Sequence, residues 1–314
     1  MKQTEKETLI KLLQAAARDE HAAIIQYLRH AYLMGEGELA CEIEGIAREE
    51  MRHFWMLSRW IVKLGGDPTI ERGFTEVTVS SVPAWMKEDV AAEDRAIAMY
   101  KDYLNRIEDP DIRADIEYIL ADEERHRGDF LHFVEKALAE VQATESTAPD
   151  EAGAGTEVPA FAGIDKEALD WGTQHEYAAL LQYLVHSFLL HQDDEEISHQ
   201  LEKQAINEMQ HMGWFGEELA DMGEEMPLEP HPVTIPRDAK SMLEADVKLE
   251  QQTSEKYGQF LTQMVDEDIK GVVDDARGQE LYHEKLFSRL MRRLAPKLSS
   301  HDWTVGSLKE KEKD

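Results

Sequence analysis

The sequence contains an internal repeat, and this repeat constrains the fold more than any other feature. Four short motifs recur in the same order at a displacement of about half the 314-residue chain, the pattern that a tandem duplication leaves in a sequence. The motifs contain Glu20, Glu50, Glu93 and Glu123 in the first half and Glu176, Glu208, Glu250 and Glu280 in the second. We therefore predict two domains that share one fold.

The apolar residues outside the turns recur at helical spacing. Ile24, Tyr27, Leu28 and Ala31 are one such series, and the residues that break helices fall only between such series. The predicted fold is all-α, with two tandem four-helix bundles in residues 1–139 and 164–298. Residues 140–163, rich in Ala, Glu, Thr, Gly and Pro, are predicted to form a flexible linker, and residues 299–314 a polar tail.

The spacing of the repeated motifs predicts how the helices are arranged. Glu20 and Glu50 lie at similar distances in sequence from a turn at Gly35–Gly37, so their carboxylates are expected at a similar height on antiparallel helices. The other predicted turns are at Asp109–Pro110, near Asp193 and near Asp266. Residues 65–83, extended around Val77–Pro83, and residues 223–236 are predicted as long crossovers that join two hairpins in each half.

The repeated motifs carry a set of residues that is typical of a two-metal site. A histidine follows a glutamate by three positions at Glu50/His53, Glu123/His126, Glu208/His211 and Glu280/His283, so both side chains of each pair lie on one helix face. A single Glu-x-x-His pair in a sequence is usually exposed to solvent and binds no metal. With Glu20 and Glu93, or Glu176 and Glu250, each half supplies four carboxylates and two imidazoles, the ligand set of di-iron and di-manganese bundles. The carboxylates of the Glu-x-x-His pairs are predicted to bridge two ions and the others to be terminal ligands.

Composition excludes several classes of partner and location. The formal net charge of -31 argues against nucleic acid and anionic membranes as partners. Cys41 is the only cysteine, which excludes a disulfide framework and favours a reducing cytoplasm. The N-terminus lacks the apolar core of a signal peptide, and no segment approaches the roughly 20 apolar residues that cross a bilayer. We therefore expect a soluble cytoplasmic protein.

Each half resembles bacterioferritin and the wider ferritin-like superfamily. The resemblance rests on Glu20 with Gln26-Tyr27 and His30, on Glu50-Met51-Arg52-His53, on Glu93, on Asp122-Glu123-Glu124-Arg125-His126, and on their second-half counterparts. It implies a centre that binds Fe(II), reduces O2 or peroxide, and passes Fe(III) to a mineral store. It also places Tyr27 and Tyr183 beside the centres, where a tyrosine can donate an electron, although packing explains these residues equally well.

The two halves also depart from one another and from the family. Gln279 stands where the first half has Asp122, so the hydrogen bonds around the two centres are expected to differ. No fifth helix is predicted after either bundle, whereas the family's cages use one, so a self-assembled cage is not expected. The sequence does not decide between a monomer and a homo-oligomer smaller than a cage.

The resemblance raises the question of haem. Met51 and Met209 each follow a predicted ligand by one residue, which turns them about 100° away from the bundle core onto an outer face. In bacterioferritin the matching methionine binds haem across a two-fold dimer interface, and here the two halves of one chain would supply both methionines. Methionines on packed helix faces are more often gap-fillers, so both interpretations stay open.

The tail carries one short apolar motif. Trp303–Lys309 resembles the cargo-loading peptide of encapsulin systems, whose common form has leucine at the position of Trp303, followed by Thr-Val-Gly-Ser-Leu and a basic residue. Spaced apolar anchors of this kind let an extended peptide dock in a groove. The resemblance implies an encapsulin shell protein as partner and a location inside an encapsulin nanocompartment.

The leading hypothesis is a ferroxidase that stores or detoxifies iron as encapsulin cargo. One alternative is a peroxide-consuming enzyme like rubrerythrin or manganese catalase. Another is a protein that binds and buffers iron without fast redox chemistry. A di-iron oxygenase with an organic substrate also stays open, although no substrate channel is evident in the sequence.

Overall fold

A computed structural model of the chain describes residues 3–35, 37–75, 81–147 and 163–298, and these residues form eight α-helices. The helices are α1 Gln3–Met34, α2 Glu38–Lys63, α3 Val82–Arg106, α4 Pro110–Thr147, α5 Gly163–Leu190, α6 Glu195–Asp221, α7 Ala239–Leu261 and α8 Glu267–Leu298. The all-α prediction of two four-helix bundles is confirmed.

The chain divides into two compact units, residues 1–158 and 159–314. In the first unit α1 packs along α2 and α3 along α4, and the two hairpins meet where α1 contacts α3 and α2 contacts α4. The second unit repeats this arrangement with α5 to α8. Each bundle therefore consists of two helical hairpins joined by a long crossover.

Glycines with positive φ end equivalent helices in the two units. Gly65 follows α2 with a φ of 73°, and Gly223 follows α6 with a φ of 74°, a backbone conformation that glycine adopts without a steric cost. In both places the glycine N–H and the next N–H donate back to carbonyls in the last turn of the helix. Each crossover therefore begins at the same sharp helix end.

The first crossover packs directly on α1. The Gly73 N–H donates to the carbonyl oxygen of Arg18 over 2.8 Å, and a Cβ at Gly73 would lie 2.9 Å from that oxygen. Only glycine allows this approach without a shift of the backbone. In the second unit the His231 N–H donates to the carbonyl of Gln174 over 3.0 Å. Each crossover is thus fixed near the helix turn that carries Glu20 or Glu176.

Two helices extend into segments that were expected to be non-helical. The first domain was predicted to end at residue 139, but α4 continues to Thr147, because the residues from Glu140 onward include Ala, Glu and Gln, which favour helix. Val82 and Pro83 were predicted to be extended, but they form the first turn of α3, where proline is well tolerated. Residues 76–80 and the tail at 299–314, with Trp303–Lys309, lie outside the described residues.

A buried polar layer interrupts the apolar core of each bundle. Leu13, Ile43, Met86 and Ile119 are fully buried core residues of the first unit, yet glutamates and histidines of the same bundle are equally buried. No described helix has an apolar run long enough to cross a membrane. The buried polar layer is the feature of these helices that calls for a functional explanation.

Candidate metal centres

The twelve predicted ligands form two buried clusters, one in each bundle. The first centre consists of Glu20 on α1, Glu50 and His53 on α2, Glu93 on α3, and Glu123 and His126 on α4; the second consists of Glu176, Glu208, His211, Glu250, Glu280 and His283 on α5 to α8. None of the twelve residues is more than 3% exposed. The helices therefore bring together all the residues that the repeat predicted as ligands.

Each histidine of the first centre turns its Nδ1 atom toward the carboxylates. His53 Nδ1 lies 2.9 Å from Glu50 Oε2, 3.0 Å from Glu123 Oε1 and 3.6 Å from Glu20 Oε2. His126 Nδ1 lies 2.8 Å from Glu50 Oε1 and 3.9 Å from Glu93 Oε1. These distances define two neighbouring groups of ligand atoms, one at each histidine, and each group could hold a metal ion.

The second centre repeats this geometry. His211 Nδ1 lies 2.9 Å from both Glu208 Oε2 and Glu280 Oε1 and 3.6 Å from Glu176 Oε2. His283 Nδ1 lies 3.0 Å from Glu208 Oε1 and 3.7 Å from Glu250 Oε1. The two imidazole rings are 5.8 Å apart in the second centre, and those of His53 and His126 are 5.9 Å apart in the first.

The carboxylates divide into shared and unshared groups. Glu50 and Glu123 each belong to both four-residue groups of the first centre, whose ligand atoms lie within 4.8 Å of one another, whereas Glu20 and Glu93 belong to one group each. In the second centre Glu208 and Glu280 are the shared pair. This is the arrangement that two bridging and two terminal carboxylates require.

Several ligand atoms of both centres lack a hydrogen-bond partner although they are buried. In the first centre these atoms are Glu50 Oε1, Glu93 Oε2, Glu123 Oε1 and His126 Nδ1; in the second they are Glu176 Oε2, Glu208 Oε1 and Oε2, His211 Nδ1, Glu280 Oε1, and His283 Nδ1 and Nε2. Leaving a buried polar atom unpaired costs about 1–3 kcal/mol. Because most of these atoms face a common volume, and because four carboxylates balance the charge of two divalent cations, the residues fit a pair of bound metal ions.

The carboxylates cannot all ionise without such cations. Burial, followed by repulsion from Glu50, raises the pKa of Glu20 to about 8, and the same causes raise the pKa of Glu123 to about 8. Burial and repulsion from Glu123 hold the pKa of Glu93 well above its usual range. Burial also opposes the ionisation of Glu50, but the two imidazolium rings outweigh it and lower the pKa of Glu50. Protons therefore occupy part of the metal-free cluster at neutral pH, and cation binding releases them.

Tyrosines hold the unshared carboxylates through reciprocal hydrogen bonds. The Tyr27 hydroxyl on α1 donates to Glu93 Oε1 on α3 over 2.6 Å, and the Tyr100 hydroxyl on α3 donates to Glu20 on α1. In the second centre Tyr183 donates to Glu250 and Tyr257 donates to Glu176 in the same way. Tyr27 and Tyr183 thus contact candidate ligands of the two centres, and their role as electron donors stays a prediction. The sequence reasoning assigned no role to Tyr100 and Tyr257, although both recur in the repeat.

Each unit also contains a buried aspartate that was not predicted from the sequence. Asp89 accepts a hydrogen bond from Gln26 Nε2 over 2.8 Å and lies 3.0 Å from His30 Nδ1. Asp246 makes the equivalent contacts with Gln182 at 2.9 Å and His186 at 2.8 Å. Each aspartate lies one helical turn before an unshared glutamate, and its recurrence in the repeat was the available signal. These contacts fix α1 to α3 and α5 to α7 beside the centres.

A cavity of about 260 Å³ reaches the first centre between α1 and α3. Its wall includes Glu20, Tyr27 and Glu123, and small side chains such as Ala92 and Ala96 leave the space open. A channel at this position could not be predicted from the sequence, because alanines within a helix are equally consistent with close packing. The cavity therefore adjoins the first centre at two of its candidate ligands, Glu20 and Glu123.

The two methionines considered as haem ligands are buried. Met51 is 3% exposed and Met209 is 1% exposed, although both were expected on an outer face of their bundle. Methionine fills gaps in packed cores as readily as it binds a ligand. The haem interpretation stays a prediction.

Each half of the chain matches a model of a known protein family. Residues 13–157 match a family model described as ferritin-like, and residues 166–295 match a second model described as the ferritin-like domain. The chain consists of two tandem ferritin-like domains. Bacterioferritin of Desulfovibrio desulfuricans is 35% identical to the ferritin-like chain over 102 residues, which cover 32% of this chain and 57% of that protein.

Two solved bacterioferritin structures are similar to part of this ferritin-like chain. The X-ray structure of the Desulfovibrio desulfuricans protein, whose diiron site was studied in different catalytic states, has 28% sequence identity and a TM-score of 0.43. It aligns with 49% of this chain and 95% of its own length. A mycobacterial bacterioferritin has 25% identity and a TM-score of 0.40, over 47% of this chain and 97% of its own length.

Proposed function

We propose that this protein is a ferroxidase that oxidises Fe(II) to Fe(III) at two di-iron centres, one in each ferritin-like domain. The observation that carries this proposal is that each bundle buries four carboxylates and two imidazoles in two overlapping groups. Mixed oxygen and nitrogen ligands of this kind suit iron and manganese. The 35% identity to a bacterioferritin favours iron oxidation over other chemistry of the same ligand set.

The paired ion positions suit a two-electron reaction. Two Fe(II) ions together give up two electrons, which reduce O2 with two protons to hydrogen peroxide, or reduce hydrogen peroxide with two protons to two waters. The iron is a substrate, and the Fe(III) product leaves for storage. The bundle core excludes bulk water from the ligands, and the shared carboxylates hold the two ions as neighbours.

The surrounding residues orient the ligands and supply an electron. Tyr27 and Tyr183 fix the unshared carboxylates Glu93 and Glu250, and each hydroxyl lies close enough to its centre for the tyrosine to act as an auxiliary electron donor. Tyr100 and Tyr257 fix the opposite carboxylates. Such hydrogen bonds hold ligand side chains in one geometry and strengthen metal binding.

An anaerobic Fe(II) titration tests the proposal. We expect saturable uptake of about four Fe(II) ions per chain, two per bundle, and oxidation when O2 or peroxide is added. The variant Glu50→Ala with Glu208→Ala should lose rapid oxidation, because it removes one shared carboxylate from each centre. The control variant Glu124→Ala with Glu284→Ala removes two carboxylates outside the centres and should behave as the wild type.

Three results would argue against a ferroxidase. The absence of saturable Fe(II) uptake would show that the two bundles do not bind iron. Unchanged oxidation in the Glu50→Ala and Glu208→Ala variant would show that iron is not oxidised at these centres. Rapid peroxide turnover by the manganese-loaded protein, without net oxidation of iron, would favour the catalase-like alternative.

We also propose that the tail delivers this ferroxidase to an encapsulin shell. The support is the sequence of Trp303–Lys309, which lies outside the described residues. Co-expression with a shell protein and deletion of residues 303–314 is the direct test. Loss of co-purification is the expected result, and co-purification of the truncated chain in the same amount would refute the role of the tail.

Haem binding by Met51 and Met209 has a separate test. Haem with two methionine ligands would give the purified protein a Soret band that the variant Met51→Leu with Met209→Leu loses. A wild-type protein that shows no Soret band after haem reconstitution would assign both buried methionines to packing.

A further inference from the structure

The two centres differ on the outer side of their histidines. In the first centre His53 and His126 present Nδ1 to the carboxylate cluster, so Nε2 points away from it. His53 Nε2 lies 3.3 Å from Asp122 Oδ2, and His126 Nε2 lies 2.6 Å from Glu49 Oε2. Each imidazole of the first centre therefore donates its outer N–H to a carboxylate.

An arginine connects these two outer carboxylates. Arg125 Nη2 lies 2.7 Å from Glu49 Oε2 and 2.7 Å from Asp122 Oδ1. We name Glu49, Asp122 and Arg125 the outer trio. Its members remain in contact with solvent, since their side chains are 43%, 16% and 45% exposed. The trio thus forms a hydrogen-bonded layer between solvent and the histidines of the first centre, with a formal charge of -1.

The second centre lacks this layer. The positions equivalent to Glu49, Asp122 and Arg125 in the repeat hold Asn207, Gln279 and Tyr282, which carry no charge. His211 Nε2 lies 3.0 Å from the Gln279 amide oxygen. His283 Nε2 is buried and has no hydrogen-bond partner among the described residues. The outer nitrogen of one histidine of the second centre therefore faces a neutral amide, and that of the other has no hydrogen-bond partner in the part of the chain that the structure describes.

The different partners of the outer histidine nitrogens should give the two centres different affinities for metal ions. A carboxylate that accepts the outer N–H of a metal-bound histidine fixes the ring orientation and makes the imidazole a stronger ligand, and losing such a partner typically weakens metal binding by about 10–100-fold. An amide oxygen supplies the orientation but not the negative charge. The affinity should therefore fall from the histidines of the first centre to His211 and then to His283.

We infer that the first centre binds divalent cations more tightly than the second, and that Glu49 and Asp122 are positioning residues responsible for the difference. The ion position at His283 is then the weakest of the four. This inference rests on the proposed metal centres and adds an order in which they fill. At limiting iron the first domain would be loaded before the second.

Anaerobic titration of the full chain with Co(II), followed by calorimetry and visible absorption, tests the order of filling. The wild type should show at least two classes of site, with the tightest and the weakest class differing by about 10-fold or more. The variant Glu49→Asn with Asp122→Gln places the second-half residues in the first half and should weaken the tighter class by about 10–100-fold. The reciprocal variant Asn207→Glu with Gln279→Asp should strengthen the weaker class.

The reciprocal variant separates a real effect from damage to the fold, because a gain in affinity cannot come from misfolding. Asp94→Asn removes an exposed carboxylate on α3 that pairs with Arg127 and is the control for a general loss of surface charge. Four equivalent Co(II) sites, or an unchanged isotherm in both double variants, would overturn the inference and leave the ferroxidase proposal intact. A wild-type chain that binds no Co(II) and no Fe(II) would overturn both.

Discussion

Replacing Glu93 by glutamine separates its role as a metal ligand from its role in packing. Glu93 is fully buried, accepts a hydrogen bond from Tyr27 over 2.6 Å, and has a pKa well above its usual range because of burial and repulsion from Glu123. Both effects favour the neutral, protonated form of this carboxyl group in the metal-free protein. Glutamine has the same shape, is also neutral and can accept the same hydrogen bond. We expect the metal-free stability to change by less than about 1 kcal/mol.

The metal-loaded protein should respond differently. An ion present at a thousand times its Kd stabilises the folded state by about 4 kcal/mol, and a hundredfold weaker Kd at the same concentration reduces this to about 1.4 kcal/mol. Losing a charged ligand to one ion is expected to weaken binding by at least that factor. The Glu93→Gln variant should therefore lose about 2.7 kcal/mol of stability that is present only when the metal is bound.

Urea unfolding with and without Co(II), under anaerobic conditions, measures both quantities. The two domains are compared separately by placing Glu250→Gln, the equivalent change, in a second variant. The Asp94→Asn variant serves as a control, since Asp94 adjoins Glu93 in sequence but its side chain is 54% exposed. Equal destabilisation of the metal-free and metal-loaded forms by Glu93→Gln would show that Glu93 contributes to packing and not to metal binding.

Three further predictions follow from the same geometry. Tyr100→Phe and Tyr257→Phe remove the hydrogen bonds to the unshared carboxylates and should weaken Co(II) binding by about 10–100-fold in titrations; unchanged isotherms would contradict this role. Gly172→Ala places a Cβ 2.7 Å from the Phe215 ring and should lower the free energy of unfolding by about 1–3 kcal/mol. Ala16→Gly at the equivalent position should lower it by about 1–2 kcal/mol, through lower helix propensity and the loss of a buried methyl group. Chelation of the metal should lower the Tm of the loaded protein and preserve its helical circular dichroism, and an unchanged Tm would argue against structural coupling of the centres.

The helices and ligand positions could be predicted from sequence because both depend on local periodicity. A Glu-x-x-His pair lies on one helix face wherever it occurs, and Glu20 and Glu50 are placed opposite one another by their distances from a shared turn. Because of the duplication every motif occurs twice, so the prediction made from one copy could be compared with the other copy. The end of α4 was less predictable, because Glu140 to Thr147 has a composition that suits both a linker and a helix.

The groups around the ligands were not predictable in the same way. Glu49 precedes a ligand on α2 and has the sequence character of an ordinary exposed acid, yet it contacts His126 on another helix at 2.6 Å. Asp89 likewise contacts residues about 60 positions away in the sequence. Such contacts depend on which side chains face one another across the bundle, and helical periodicity within one segment does not determine that.

The tandem arrangement allows the two domains to differ in ways that two identical subunits cannot. Both halves hold the same six ligands, but their surroundings have changed: Asp122 is matched by Gln279, and Ala16 by Gly172, where the large Phe215 ring fills the space that a Cβ would need. In a homodimer any substitution near a centre alters both centres. In this chain one centre can be changed while the other remains an internal reference, so a half-loaded protein and a single altered domain can be measured within one molecule.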